Sequence, residues 1–315
     1  MKKFLKVTGV LFLLVILAGL FLIYRYGPNF NVYLVPPSVE KYTQTALQFM
    51  EQGYFTDSDH WQAAKKQAME TAAGADRYEE THEDLENAIR VEGGKHSFLM
   101  NKDEADTTAD TQELPEIRME DAVLYIHLTP IMLADPEKNQ AYADLVLQHV
   151  EKENYDGVIL DLSDNTGGDM GPMLAGLSPL LPDGTILFFQ DVAGNRTDVQ
   201  LAEGSLSMGG SAVQGSKTKV QSVPIAVILN ERTASSAEIV ALAFKTAENV
   251  KYFGTPSAGY TSGNSQLRLY DGIILQLTTA SLVDASGQEY MNVPIEPDES
   301  SDNPLRAAVE WIHAQ

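Results

Sequence analysis

The sequence predicts an α/β protein, α+β in its arrangement, preceded by a small helical subdomain and, ahead of that, a transmembrane helix. Three observations predict it. Residues 7–24 are all apolar or small. Residues 38–92 show helical periodicity three times in succession. From residue 122 onward, short apolar strands alternate with amphipathic helices.

The first run, from Val7 to Tyr24, follows Lys2, Lys3 and Lys6. Its length is at the lower edge of what spans a bilayer as a helix, and the basic flank keeps that end in the cytoplasm. A cleaved signal peptide is the alternative, but its apolar region is usually shorter and ends in a small-x-small site. Here Arg25 and Tyr26 follow instead. The expectation is a single-pass anchor over residues 1–25 in the cell membrane, with the rest of the chain outside. Residues 26–37 (YGPNFNVYLVPP) read as an extended tether, because proline disfavours a helix before it.

Among the 315 residues are 44 acidic and 22 basic ones, a formal net charge of -22. Lys2, Lys3, Lys6 and Arg25 lie within the first 25 positions, so the exported part has 18 basic residues against 44 acidic ones, formally -26. A nucleic-acid partner is not expected, since binding one requires a basic face. A cationic partner suits such a field, although acidity also serves solubility alone. The absence of cysteine excludes disulfides, thiolate chemistry and a lipidated cysteine. Six scattered histidines without an HExxH pattern give no metal site, and no cofactor is expected. A monomer is the expected state.

Ser38 caps the first helical stretch, and two more follow to about Glu92. Residues 101–116 (NKDEADTTADTQELPE) are polar and aperiodic, a surface loop. The helical subdomain is therefore placed at 38–116 and the α/β part at 117–315. Strands are expected at 122–128, 157–163, 185–190, 224–230, 251–254, 265–271 and 273–283, and helices at 139–153, 235–249 and 303–314.

Three segments could carry chemistry. In PIAVILNERTASSAEIV an apolar strand ends at Asn230 and a helix begins near Ser235, so Ser235 meets the free N–H groups and positive dipole end of that helix. Taken alone, this segment is more simply read as helix capping by Thr233, Ser235 and Ser236. In ILDLSDNTGGDMGPML a buried strand delivers Asp161 and Asp164 into a turn with Gly167 and Gly168, which lets backbone N–H groups approach a ligand; an ordinary strand-to-helix turn is the plain alternative. In GGKHSFL, His96 follows a glycine pair at an irregular boundary, unlike the other histidines.

Together these segments resemble peptidase family S41, the carboxy-terminal processing and tricorn-like serine proteases. Asp161-Leu162-x-x-Asn165-x-Gly167-Gly168 is similar to the family's D-L-x-x-N-x-G-G, Thr233-Ala234-Ser235-x-x-Glu238 to its [ST]-A-S-x-x-E, and IEPDE at 295–299 to a late P-D element. The resemblance covers about residues 80–300. It implies a mixed-sheet protease core with flanking helices and Ser235 as nucleophile. The processing proteases place a lysine base in F-G-K-G, whereas Tyr260 stands at that position in SAGYTSG. The tricorn-like branch takes its base from an upstream G-x-H-[ST], which GGKHSF matches, so the resemblance implies His96 as base. It also implies an oxyanion hole from Ser236 with Gly167 or Gly168, an orienting partner such as Ser97 or Glu289, and a substrate groove near Met173, Leu174 and Tyr260. For that groove, core packing is the alternative. With about 90 helix-patterned residues ahead of the core, no PDZ domain is expected.

Within the family the chain is similar to the nisin-resistance branch, in which TASSAE carries the serine. That resemblance implies a membrane-anchored endopeptidase that clips the C-terminal tail of a cationic lantibiotic such as nisin. A general processing peptidase of exported proteins and a non-catalytic protein that sequesters the lantibiotic are the rival expectations.

Overall fold

A computed structural model of the chain describes residues 2–27, 32–55, 59–101, 113–132, 135–152 and 154–315. Parts of the expected tether (28–31) and of the acidic loop (102–112) lie outside the described residues. The helices are α1 (Lys2–Tyr26), α2 (Val39–Met50), α3 (Asp59–Gly74), α4 (His82–Gly93), α5 (Pro136–Lys152), α6 (Met170–Gly176), α7 (Ser236–Phe244) and α8 (Pro304–Ile312). The strands are β1 (Phe98–Met100), β2 (Glu116–Glu120), β3 (Val123–His127), β4 (Gly157–Asp161), β5 (Gly184–Gln190), β6 (Arg196–Ala202) and β7 (Ser205–Leu206). They continue with β8 (Ile225–Leu229), β9 (Val250–Gly254), β10 (Ser262–Arg268), β11 (Ile274–Asp284), β12 (Glu289–Tyr290) and β13 (Glu299–Ser300). The chain forms two compact units, Met1–Lys102 with Ser265–Leu277, and Asp103–Asn264 with Thr278–Gln315.

In the first unit Ser38 caps α2 by accepting the Lys41 N–H at 3.2 Å, which satisfies one of the free donors of a helix start. The apolar faces of α2, α3 and α4 meet through Leu47, Met50, Trp61, Leu85 and Ile89. Leu269, Ile273, Leu275 and Leu277 close the same core. The domain boundary expected from sequence is corrected here: residues 265–277 join the helical unit rather than the α/β part. Their alternating pattern puts one apolar face on the helices, and β1 pairs antiparallel with the start of β11, Leu99 opposite Leu275. On α1 the large apolar side chains from Leu11 to Leu17 are exposed. Among the described residues no helix is long and apolar enough to cross a membrane.

The second unit holds a six-stranded sheet in the order β13-β9-β8-β4-β3-β2. Its neighbours are parallel except β2 and β3. Every residue of β4 and β8 is buried, because both faces are covered, and so both read as continuous apolar runs. On one face Ile126, Leu160 and Val227 pack with Tyr142, Val146, Leu174, Val240 and Phe244 from α5, α6 and α7. On the other face Ile159, Ile228 and Phe253 meet Ala308 and Ile312 of α8. β5 pairs antiparallel with the end of β11 and with β6, which pairs with β7. Strands β2, β6 and β7 were outside the sequence expectation; β6 alternates in burial with polar residues outward, and β2 is nearly all exposed.

Leu275→Ala is expected to cost about 2–5 kcal/mol, the usual range for a large-to-small change in a packed core. Chemical denaturation measures the loss, and hydrogen exchange should report faster opening of α2–α4 than of β3, β4 and β8.

Candidate active site

The strand-to-helix turn after β8 is fixed before its serine is considered. Asn230 Oδ1 accepts the N–H groups of Asp164, Arg232 and Thr233 at 3.0–3.1 Å. Thr233 Oγ1 donates to the Leu162 carbonyl at 2.8 Å, and the Ala234 N–H to the Asn165 carbonyl at 2.9 Å. Ser236 Oγ donates to the Gly168 carbonyl at 2.6 Å. The two motif turns are therefore tied to each other along their length.

Ser235 stands at the start of α7 with φ 56° and ψ -119°. A non-glycine residue held at positive φ costs roughly 1–3 kcal/mol and persists only where its surroundings fix it. Here Glu238 supplies that restraint. Its Oε2 accepts the N–H groups of Ser235 at 2.9 Å and Tyr260 at 2.7 Å. Its Oε1 accepts the Gly259 N–H at 2.8 Å and Ser257 Oγ–H at 2.5 Å. The side chain is fully buried. Burial pushes its pKa above the ordinary value, and the four donors act against that rise. Thr233, Ala234, Ser236, Ala237 and Glu238 are all buried, whereas Ser235 between them retains partial exposure.

The glycine turn is equally constrained. Asn165 is fully buried, donates to the Leu128 carbonyl at 2.9 Å and accepts the Gly167 N–H at 2.9 Å. A Cβ on Gly168 would lie 1.9 Å from the Ile131 carbonyl oxygen, and both glycines have positive φ, +100° and +109°. A Cβ on Gly167 would lie 2.8 Å from Ser235 Cβ and 2.9 Å from Ser236 N. Only glycine fits such close approach. Of the two alternatives for a free donor, the Gly167 N–H is turned to Asn165. Among the described residues the N–H groups of Gly168 and Ser236 have no partner.

Asp161 is buried and occupied: it accepts from Ser163 N–H and Oγ–H and from Tyr125 Oη–H, and His127 Nδ1 lies 3.6 Å away. That contact with Asp161 raises the His127 pKa. Met173 and Leu174 are corrected from groove to core: both are fully buried within the apolar cluster under the sheet. A short helix that starts at the glycine turn must present these positions inward. Tyr260 is half-buried, and what the structure assigns it is a backbone contact with Glu238. Glu289 is exposed on β12 and accepts Ser281 Oγ–H at 2.6 Å.

His96 and Ser97 belong to the first unit. His96 ends the short turn Gly94–His96 and is buried, as is Ser97, whose N–H donates to the Gly94 carbonyl at 3.1 Å. Burial, and then the charge of Lys95, lower the His96 pKa to about 4. Its imidazole is neutral at pH 7 and able to take a proton. Asn165 and Thr233 were legible as positions of the glycine and serine motifs, and Thr233 also as a helix cap, though not for the contacts they make. Ser257 carried no distinguishing signal.

Glu238→Gln replaces one acceptor oxygen by an amide donor that faces buried donors. It is expected to lower stability by about 1–3 kcal/mol, the cost of a buried group left unpaired, as read by chemical denaturation.

The profile of peptidase family S41 matches residues 122–301. A nisin-resistance protein of Lactococcus lactis subsp. lactis is 41% identical over 96% of each chain. The carboxy-terminal processing protease CtpA of Bacillus subtilis is 28% identical over 53% of this chain and 33% of its own length. Among solved structures, a lipoprotein from Streptococcus agalactiae superposes with a TM-score of 0.82 at 33% identity, covering 90% of this chain and 99% of that one. A photosystem II D1 C-terminal processing protease shares the fold, with a TM-score of 0.54 at 14% identity over 88% of this chain and 98% of its own. The chain belongs to peptidase family S41.

Proposed function

We propose that this chain is a membrane-anchored serine endopeptidase that cleaves a cationic lantibiotic such as nisin near its C-terminus, outside the cell, and so confers resistance. The observation that carries the chemistry is Ser235, the partly accessible residue of a buried, strained turn beside two N–H groups that have no partner among the described residues. The substrate class is supported by the name of the Lactococcus lactis relative and by the acidity of the exported part. The anchor is supported by the apolar run from Val7 to Tyr24, which α1 contains.

In this mechanism Ser235 Oγ attacks the peptide carbonyl carbon while His96 takes the hydroxyl proton. The N–H groups of Ser236 and Gly168 hold the oxyanion, each such donor being worth roughly 10²–10³ in rate. His96 then returns the proton to the leaving amine as the C–N bond breaks, and water hydrolyses the acyl-enzyme by the same route. The mechanism requires that His96 reach the Ser235 hydroxyl. Likeness to CtpA favours a second possibility, trimming of exported proteins, in which linear unmodified tails would be cut as readily as ringed peptides.

The test is to incubate the purified chain with nisin and read the products by mass spectrometry. Release of a C-terminal fragment is expected, and Ser235→Ala should reduce it on the order of 10⁴-fold or more. Binding without cleavage by both proteins would favour sequestration.

The low pKa of His96 predicts where activity falls in acid. kcat/KM should show no decline from neutrality downward until pH passes through about 4. A drop near the ordinary histidine pKa of about 6.5 would show that another group is the base.

A further inference from the structure

Glu92 lies in the last turn of α4, four positions before His96, and it is fully buried. Neither of its carboxyl oxygens has a hydrogen-bond partner among the described residues. Its backbone carbonyl accepts the Phe55 N–H at 2.9 Å, so the loop after α2 closes over it. A Cβ on Gly53 in that loop would stand 3.0 Å from Glu92 Cβ. Directly after Glu92 the helix ends at Gly93, and Gly94, at φ 65°, turns the chain into the segment that bears His96.

The charged groups around it do not compensate an ionised carboxylate. Directly after α2 comes Glu51, which is itself acidic and raises the Glu92 pKa further. From α3 comes Lys65, but Glu51 already binds it. The turn after α4 brings Lys95 and His96, and β1 carries no titratable side chain. Burial first, and Glu51 second, push the Glu92 carboxyl up to about 7.

We infer that Glu92 is a positioning residue for the catalytic base: in its protonated form it lets the end of α4 stay packed, and its ionisation releases the Gly93–Ser97 turn that carries His96. An ionised carboxylate without a partner is costly in such a site. The sign follows from linkage. A folded-state pKa above the unfolded one gives stability that is fully present below the ordinary glutamate value and is lost as pH rises through the folded value. The alkaline decline therefore belongs to Glu92, while the acidic one belongs to His96. The catalytic part rests on the proposal that His96 is the base; the release of the turn does not.

The experiment compares the full chain in detergent with its Glu92→Gln and Glu92→Met variants across a range of about pH 6 to 9. Hydrogen exchange, corrected for its intrinsic pH dependence, is read over residues 93–97, and nisin cleavage is followed in parallel. Expected in the parent protein is loss of protection at 93–97 and a fall in kcat/KM approaching tenfold per pH unit, roughly, well above the Glu92 pKa. Both should flatten in either variant. Protection at 93–97 that does not change with pH in the parent, or that changes equally in a folded variant, would overturn the inference. Should exchange respond as expected while cleavage survives in His96→Ala, the assignment of the base fails and the Glu92 switch stands.

Discussion

A carboxylate enclosed in protein must find donors for its oxygens or give up its charge, and the second unit is organised around Glu238 meeting that demand. Two donors reach each oxygen, one from the start of α7 and three from residues 257–260. The contact at Ser235 holds a backbone conformation that serine alone would not keep. The contacts at Ser257, Gly259 and Tyr260 tie a distant loop to the same point. Ser257 Oγ in turn accepts the Ile295 N–H at 2.8 Å, and Asp298 in the late P-D element accepts the Tyr252 N–H of β9 at 2.9 Å. One buried acidic group thus links motifs about 60 residues apart, which explains why short, individually weak patterns recur together in a fixed order.

That linkage also explains how Tyr260 is accommodated where processing proteases keep lysine. The loop is held to Glu238 through two backbone N–H groups and Ser257 Oγ, contacts that do not involve the side chain at position 260. A histidine base in place of lysine, as proposed, would leave the Ser235 turn intact, because the geometry of Ser235 is set by Glu238 and by the glycine turn.

The parts of the fold legible in the sequence were those governed by local periodicity and by burial on both faces. β4 and β8 read as continuous apolar runs, and the helices of the first unit read from their stripes and the Ser38 cap. What was not legible depended on long-range partners. Nothing local tells Leu269, Ile273 and Leu275 that their apolar face will meet α2–α4 rather than the sheet. Met173 and Leu174 follow a glycine turn of evident chemical interest, yet the short helix carries them inward. The serine and both glycines were visible through motif spacing, but the choice between Gly167 and Gly168 required knowing that Asn165 turns back onto the first N–H.

Burial acts on the ionisable groups of the two units in different ways. Glu238 is surrounded by donors, so its enclosure fixes a network. Glu92 has none among the described residues, so its enclosure favours the neutral acid. In the same unit burial lowers His96 to about 4 and raises Glu92 to about 7. Both groups are uncharged only between those limits, because desolvation penalises the imidazolium form of one and the carboxylate form of the other. Below the window the unit must accommodate a buried cation, and above it a buried anion. The small helical core, built from Leu47, Trp61, Leu85, Ile89 and their neighbours, has limited stability with which to absorb either charge. The segment bearing His96 is therefore held most firmly in the interval where its imidazole is also free to accept a proton, so one physical cause sets both the packing of the turn and the chemical state of the residue it carries.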